Sequence, residues 1–304
     1  MTNISVLKQE NRAGKNVDNR EQGYFRHANV AVDEKLKVTS LYMRPAFRPC
    51  YTPELLHDIL FWQEGIRKRN LGGDLEPLRF GIFASAVPGF FNTGGDLSRF
   101  IGWIREQNRG ELLAYATDCV KVAHNGSIAL DLEDFEFIAL VQGQALGGGF
   151  EAALACSTII AERGTQFGFP EVMFNLFPGM GAYSFLSRRV NPALAERMIM
   201  SGQLYSAEEL YELGIVSVLA EPGCGEEAVR NYIKQASRQR NARSLISNVR
   251  RRYNRVPYEE LLEITQHWVE CALTLSEKEL KVMERLVRAQ NKQNLVNSDN
   301  VMGG

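Results

Sequence analysis

The order of its apolar segments predicts an α/β core followed by a helical C-terminal region. Two observations carry this. Through the first two thirds of the 304-residue chain, short apolar runs of strand length are mixed with segments of helical period. Over residues 223–304 only helical patterns occur, and strands mixed with helices followed by helices alone indicate an α/β layer with a helical appendage.

Taken in order, residues 1–23 are polar and mixed in charge, lack an apolar run, and predict a flexible N-terminal tail rather than a secretory leader. Residues 24–222 form the expected core domain. Within it, residues 35–43 alternate as a strand. Residues 54–69 predict a helix, with Thr52 as N-cap and Pro53 at its first position. Residues 70–74 are a turn cluster. Residues 78–84 are a short apolar strand running into the glycine-bearing stretch 88–96. Helical patterns cover residues 97–107 and 112–123. Residues 135–142 read as a buried strand, and residues 146–156 as a glycine loop feeding an apolar helix. Residues 158–162 and 165–168 suit two short strands, and residues 180–189 and 193–201 suit helices. Ser206 and Glu209 form a capping box, Gly214 is a helix stop, and residues 215–219 are a strand. In the last third, Pro257 opens a helix through residue 273. Ser276 with Glu279 caps another through residue 290.

Composition narrows the function classes. Lys plus Arg is 35 and Asp plus Glu is 36, for a net charge of −1, which argues against bulk electrostatic binding to nucleic acid or an anionic membrane. No apolar run reaches the roughly 18 residues of a membrane-spanning helix. The five cysteines (Cys50, Cys119, Cys156, Cys224, Cys271) lack the spacing of a zinc knuckle or a redox pair, and the four histidines lack ligand spacing. The expectation is a reduced, cytoplasmic protein with no metal and no organic cofactor. Gly179 and Gly181 are two glycines of a dinucleotide fingerprint whose third glycine and distant acid are missing.

Three segments carry chemistry. Gly147, Gly148 and Gly149 precede an apolar helix, where unclaimed backbone N–H groups point outward and favour negative charge. Such groups suit an oxyanion hole. Glu151 follows on the first turn among Phe150, Ala152, Ala153 and Leu154, and apolar neighbours raise a carboxyl pKa toward the range useful for proton transfer. Glu171, twenty residues on, sits among Phe169, Val172, Met173, Phe174 and Leu176. Either acid alone is commonly structural. Two of them beside apolar walls can divide acid and base roles. In the third segment, residues 91–97, the N–H of Gly95 is a candidate second oxyanion donor; the plainer reading is a strand–helix turn with Asp96 at the helix start.

Gly94-Gly95-Asp96-Leu97, Gly147-Gly148-Gly149-Phe150-Glu151 and Pro170-Glu171 occur in an order and spacing that resembles the enoyl-CoA hydratase/isomerase (crotonase) superfamily. The resemblance covers roughly residues 78–220; Gly95 stands where the family usually has alanine. It implies a ClpP-like spiral of ββα units with a C-terminal helical region, and backbone oxyanion donors at Gly95 and Gly148. Residues 140–154, 170–174, 176–185, 205–208 and 285–290 are further similar to the bacterial diffusible signal factor synthases, a crotonase subgroup that makes cis-2-unsaturated fatty acids. That closer resemblance implies a 3-hydroxyacyl-ACP (acyl carrier protein) substrate of medium chain length, dehydrated and then cleaved at the thioester by Glu151 and Glu171. It also implies an acyl tunnel lined by Met173, Phe174, Met180 and Trp268, with Trp268 otherwise read as core or interface. Residues 223–304 would then serve oligomerisation, usually trimer-based, and the acyl pocket, and a signalling sensor would be a regulatory partner.

Two readings stand beside this one. One is a generic crotonase acting on a CoA thioester as hydratase or isomerase. The other is an acyl-ligand-binding regulatory module. The arginines at 238, 240, 243, 250, 251, 252 and 255 read as a solvated face balanced by Glu259, Glu260 and Glu263, or as a docking patch for an acidic carrier protein.

Overall fold

A computed structural model describes residues 25–302; the tail expected over residues 1–23 lies outside the described residues. The strands are β1 (Ala28–Asp33), β2 (Val38–Met43), β3 (Phe80–Ser85), β4 (Phe90–Asn92), β5 (Glu136–Val141), β6 (Gln144–Leu146), β7 (Thr158–Glu162), β8 (Gln166–Gly168), β9 (Leu204–Ser206) and β10 (Val218–Ala220). They form a six-stranded sheet in the order β1-β2-β3-β5-β7-β10 and a four-stranded sheet in the order β4-β6-β8-β9. Only the β1–β2 and β8–β9 pairs are antiparallel.

The helices are α1 (Pro53–Gly72), α2 (Leu97–Arg105), α3 (Arg109–Ser127), α4 (Gly148–Ala155), α5 (Ala182–Ser187), α6 (Pro192–Ser201), α7 (Ala207–Glu212), α8 (Gly225–Arg238), α9 (Arg240–Tyr253), α10 (Tyr258–Leu273) and α11 (Glu277–Met302). Three times in succession the chain runs through one strand of the large sheet, one strand of the small sheet and then helix. This is the spiral of ββα turns that the resemblance implies, and helices alone follow β10.

Local sequence explains most boundaries. Strand β5 has neighbours on both sides and buries five of its six residues, hence its unbroken apolar run. Strand β1 is an edge strand whose burial alternates, and with Asn29 and Asp33 in it the sequence gives little strand signal. Thr52 accepts the N–H of Leu55 and caps α1, as expected. The reciprocal capping box of Ser206 and Glu209 opens α7. Two elements start later than their apolar patterns predict. The helix expected from residue 180 begins at Ala182, because the N–H groups of Met180 and Ala182 are drawn to the Glu151 carboxylate. The strand expected from residue 215 begins at Val218, because the N–H groups of Ile215 and Val216 close α7 on the Leu210 carbonyl.

The arginine-rich stretch became α9, with none of its residues buried. That exposure fits the solvated face expected, although among the described residues no ion pair joins its arginines to the acids of α10. Arg240 meets Asp134, Arg251 donates to the carbonyls of Ile128, Leu132 and Glu133, and Glu260 instead pairs with Arg188 at 2.9 Å.

Candidate active site

Helix α4 has all eight residues buried. Its glycines are there for close approach. A Cβ on Gly149 would overlap the Asn92 carbonyl at the end of β4, so the α4 backbone can lie directly against that of β4 only where there is no side chain. Gly147, the N-cap, has φ 51 and ψ −125, a conformation open to glycine and costly for other residues. A Cβ there would collide with Oε1 of Glu171. This turn lets the carboxyl carried after β8 reach the N-terminus of α4.

Glu151 is 1% exposed. Its Oε1 accepts the N–H of Met180 at 2.7 Å and of Ala182 at 2.8 Å. Burial pushes its pKa above the usual carboxylate range, and those backbone donors pull it back down. Glu171 stands on a short 3-10 turn, Pro170–Phe174. Its Oε2 is buried with no hydrogen-bond partner among the described residues. Burial raises its pKa, and the charge of Glu151 raises it further. When the two share one proton it therefore belongs on Glu171, while Glu151 stays ionised on its two N–H donors.

The Gly95 loop comes from the other side. Tyr51 and Gly95 form an isolated parallel bridge in which the Tyr51 N–H donates to the Gly94 carbonyl at 2.8 Å. In a parallel bridge the residue opposite points its own N–H away from its partner. The Tyr115 hydroxyl fixes the bridge, donating to the Tyr51 carbonyl at 2.5 Å and accepting the Asp96 N–H at 3.3 Å. Asp96 also caps α2 and pairs with Arg48 at 2.8 Å. A Cβ on Gly94 would lie 2.9 Å from the Gly148 nitrogen, so the two glycine loops meet. Among the described residues, none accepts a hydrogen bond from the N–H of Gly95 or Gly148.

Gly95, Gly148, Glu151, Glu171, Phe174, Met180 and Trp268 all line one cavity of about 1080 Å³, its open mouth included. Met173 does not. Its side chain is 58% exposed, because a 3-10 turn brings residues three apart onto one side. Glu171 and Phe174 thus face inward and Met173 faces out. The sequence reading assigned no role to Tyr51, Phe100, Tyr115, Ala116 and Cys119, which also line the cavity. In a sequence the last four look like any buried helix face, and Tyr51 like any buried aromatic. Leu286, Ala289 and Gln290 of α11 complete the wall. Of these, residues 285–290 had stood out only as part of the closer resemblance.

The spiral of ββα turns defines a crotonase fold, and it holds a buried carboxyl pair beside two backbone N–H groups unengaged among the described residues. The sequence pattern of the enoyl-CoA hydratase/isomerase family matches residues 78–281, and the chain belongs to that family. The (E)-benzylidenesuccinyl-CoA hydratase of Thauera aromatica is 37% identical over 98 residues, 32% of this chain and 38% of that protein. A probable enoyl-CoA hydratase of Rhizobium meliloti is 43% identical over 101 residues, 33% of this chain and 39% of that protein. The matched stretches thus span less than two fifths of these relatives. The human mitochondrial delta3-delta2-enoyl-CoA isomerase superposes with a TM-score of 0.70 at 16% identity, covering 88% of this chain and 99% of that one. That likeness is one of fold. No helix among the described residues is long and apolar enough to cross a membrane.

Proposed function

We propose that the protein catalyses reversible addition of water across the C2–C3 bond of an acyl thioester, with a CoA thioester as the carrier form. The observation that carries this reading is two buried carboxyls in one cavity with backbone donors unengaged among the described residues, Glu151 held by two N–H groups and Glu171 with an unpartnered oxygen. The thioester oxygen accepts from the N–H groups of Gly95 and Gly148. Ionised Glu151 takes a proton from water as it attacks C3. Charge moves onto the thioester oxygen, where one such donor is worth about 3–4 kcal/mol in the transition state. Protonated Glu171 then delivers its proton to C2. Dehydration of a 3-hydroxyacyl thioester runs the same steps backward, with Glu171 as base and Glu151 as acid.

A narrower reading is dehydration of a medium-chain 3-hydroxyacyl-ACP followed by thioester hydrolysis to a cis-2-enoic acid. It is supported by the resemblance over residues 176–185 and by the cavity wall of Phe174, Met180 and Trp268. One experiment separates the two. Purified protein is given a medium-chain trans-2-enoyl-CoA and, separately, the matching 3-hydroxyacyl-ACP, with products identified by mass spectrometry. The expected result is 3-hydroxyacyl-CoA from the first, absent with the Glu151→Ala, Glu171→Ala double variant. Free cis-2-enoic acid from the second would establish the narrower reading. Turnover of neither substrate, or equal turnover by the double variant, would overturn the proposal.

A further inference from the structure

Gly95 and Phe100 fit together in a way that the proton transfers do not require. A Cβ built on Gly95 would lie 2.5 Å from Cζ and 2.7 Å from Cε2 of Phe100. The phenyl ring therefore fills the volume that even a methyl side chain would need. Phe100 stands on the first turn of α2, is 6% exposed, and lines the same cavity as the two glutamates. Its ring has no room to retreat. Trp268 and Tyr115 pack edge-on against it, each with centroids 5.2 Å away. Tyr115 is itself pinned by its two hydrogen bonds to the Tyr51–Gly95 bridge.

We infer that Phe100 is a specificity-determining residue: lodged against the carbonyl donor Gly95, its ring narrows the acyl site beside the reacting carbons and selects straight acyl chains over chains branched near C4. This inference rests on the acyl-thioester reading of the cavity. The ring is rigid and is held in the cavity wall by Trp268 and Tyr115, so it cannot give way cheaply to an added methyl beside it. A pocket that excludes one extra methyl group discriminates by about 10–200-fold.

The test is binding rather than turnover. Saturated straight-chain and 4-methyl-branched acyl-CoA of equal length, which cannot be hydrated, are titrated calorimetrically into the wild-type protein, Phe100→Ala and Phe100→Leu. The expected result is that the branched-to-straight affinity ratio rises about tenfold or more in at least the smaller variant; Phe100→Leu keeps most of the volume should Phe100→Ala fail to fold. A ratio unchanged in the folded variants overturns the inference. The fit is tested from the other side by Gly95→Ala, which is expected to lower turnover of a straight enoyl-CoA by about 100-fold through displacement of the donor loop. Adding Phe100→Ala to it is expected to recover most of that loss. Losses that simply add would show that the ring and the missing side chain do not compete for space, and would overturn the inference. Wild-type protein that binds neither acyl-CoA defeats the acyl reading itself, an outcome distinct from an unchanged ratio.

Discussion

Replacing Glu171 with glutamine is expected to remove most turnover and, at the same time, to make the protein more stable above neutral pH. The loss follows from the role. A side chain that gives or takes a proton in the transition state contributes about 10²–10⁴-fold, and the amide has none to give. The gain follows from burial. The Glu171 carboxyl is enclosed, its Oε2 has no partner among the described residues, and the Glu151 charge lies nearby. Its pKa in the folded protein is thus raised above the 4.5 of an exposed glutamate. The folded state holds this proton more tightly than the unfolded state, so its contribution is fully present below pH 4.5 and is lost as pH rises toward the alkaline side of neutrality. A neutral amide of the same shape does not incur that loss. Calorimetric melts of wild type and Glu171→Gln should diverge with rising pH, the variant becoming more stable by about 1–3 kcal/mol. A variant that is less stable at every pH would mean that the carboxylate is anchored by a partner.

Gly147→Ala is expected to be the most damaging small change in the chain. Alanine must adopt φ 51 and ψ −125 there, which costs about 1–3 kcal/mol, and its Cβ would strike Oε1 of Glu171. Either Glu171 swings away from the substrate or the α4 N-terminus moves, and the Gly148 donor with it. Turnover should fall by about 10²-fold or more, since a shift of roughly 1 Å in a reacting group costs that much. Gly223→Ala is the control: Gly223 has a comparable φ of 79, but a Cβ there meets nothing within 4 Å. Steady-state kinetics and thermal melts on both variants separate backbone strain from collision. Equal effects of the two substitutions on turnover would contradict the account.

The site was legible in the sequence where chemistry forces an unusual residue into an apolar run. Three consecutive glycines before a helix, and two acids set among phenylalanines and alanines, have few structural excuses. Caps were legible for the same reason, as Thr52 and Ser206 satisfy named backbone donors. What the sequence concealed was partnership across the fold. Tyr115 reads as helix-face core, yet its hydroxyl ties Tyr51 to Asp96, 64 and 19 residues away. Phe100 reads as part of an apolar helix, yet its ring occupies the space a side chain on Gly95 would need. The closer resemblance places Met173 on the tunnel wall, whereas the three-residue repeat of its turn sends it to solvent.

The roles proposed for the two glutamates rest on the two N–H donors that hold Glu151 and the unpartnered oxygen of Glu171, and the exchange of C2 hydrogen tests them most directly. A 3-hydroxyacyl-CoA is incubated with the protein in heavy water, and deuterium at C2 of the recovered thioester is followed by mass spectrometry. Incorporation is expected with the wild-type protein, and its loss, by about 10²-fold or more, in Glu171→Gln. Incorporation by Glu171→Gln at the wild-type rate would contradict those roles, and would move the C2 proton to Glu151.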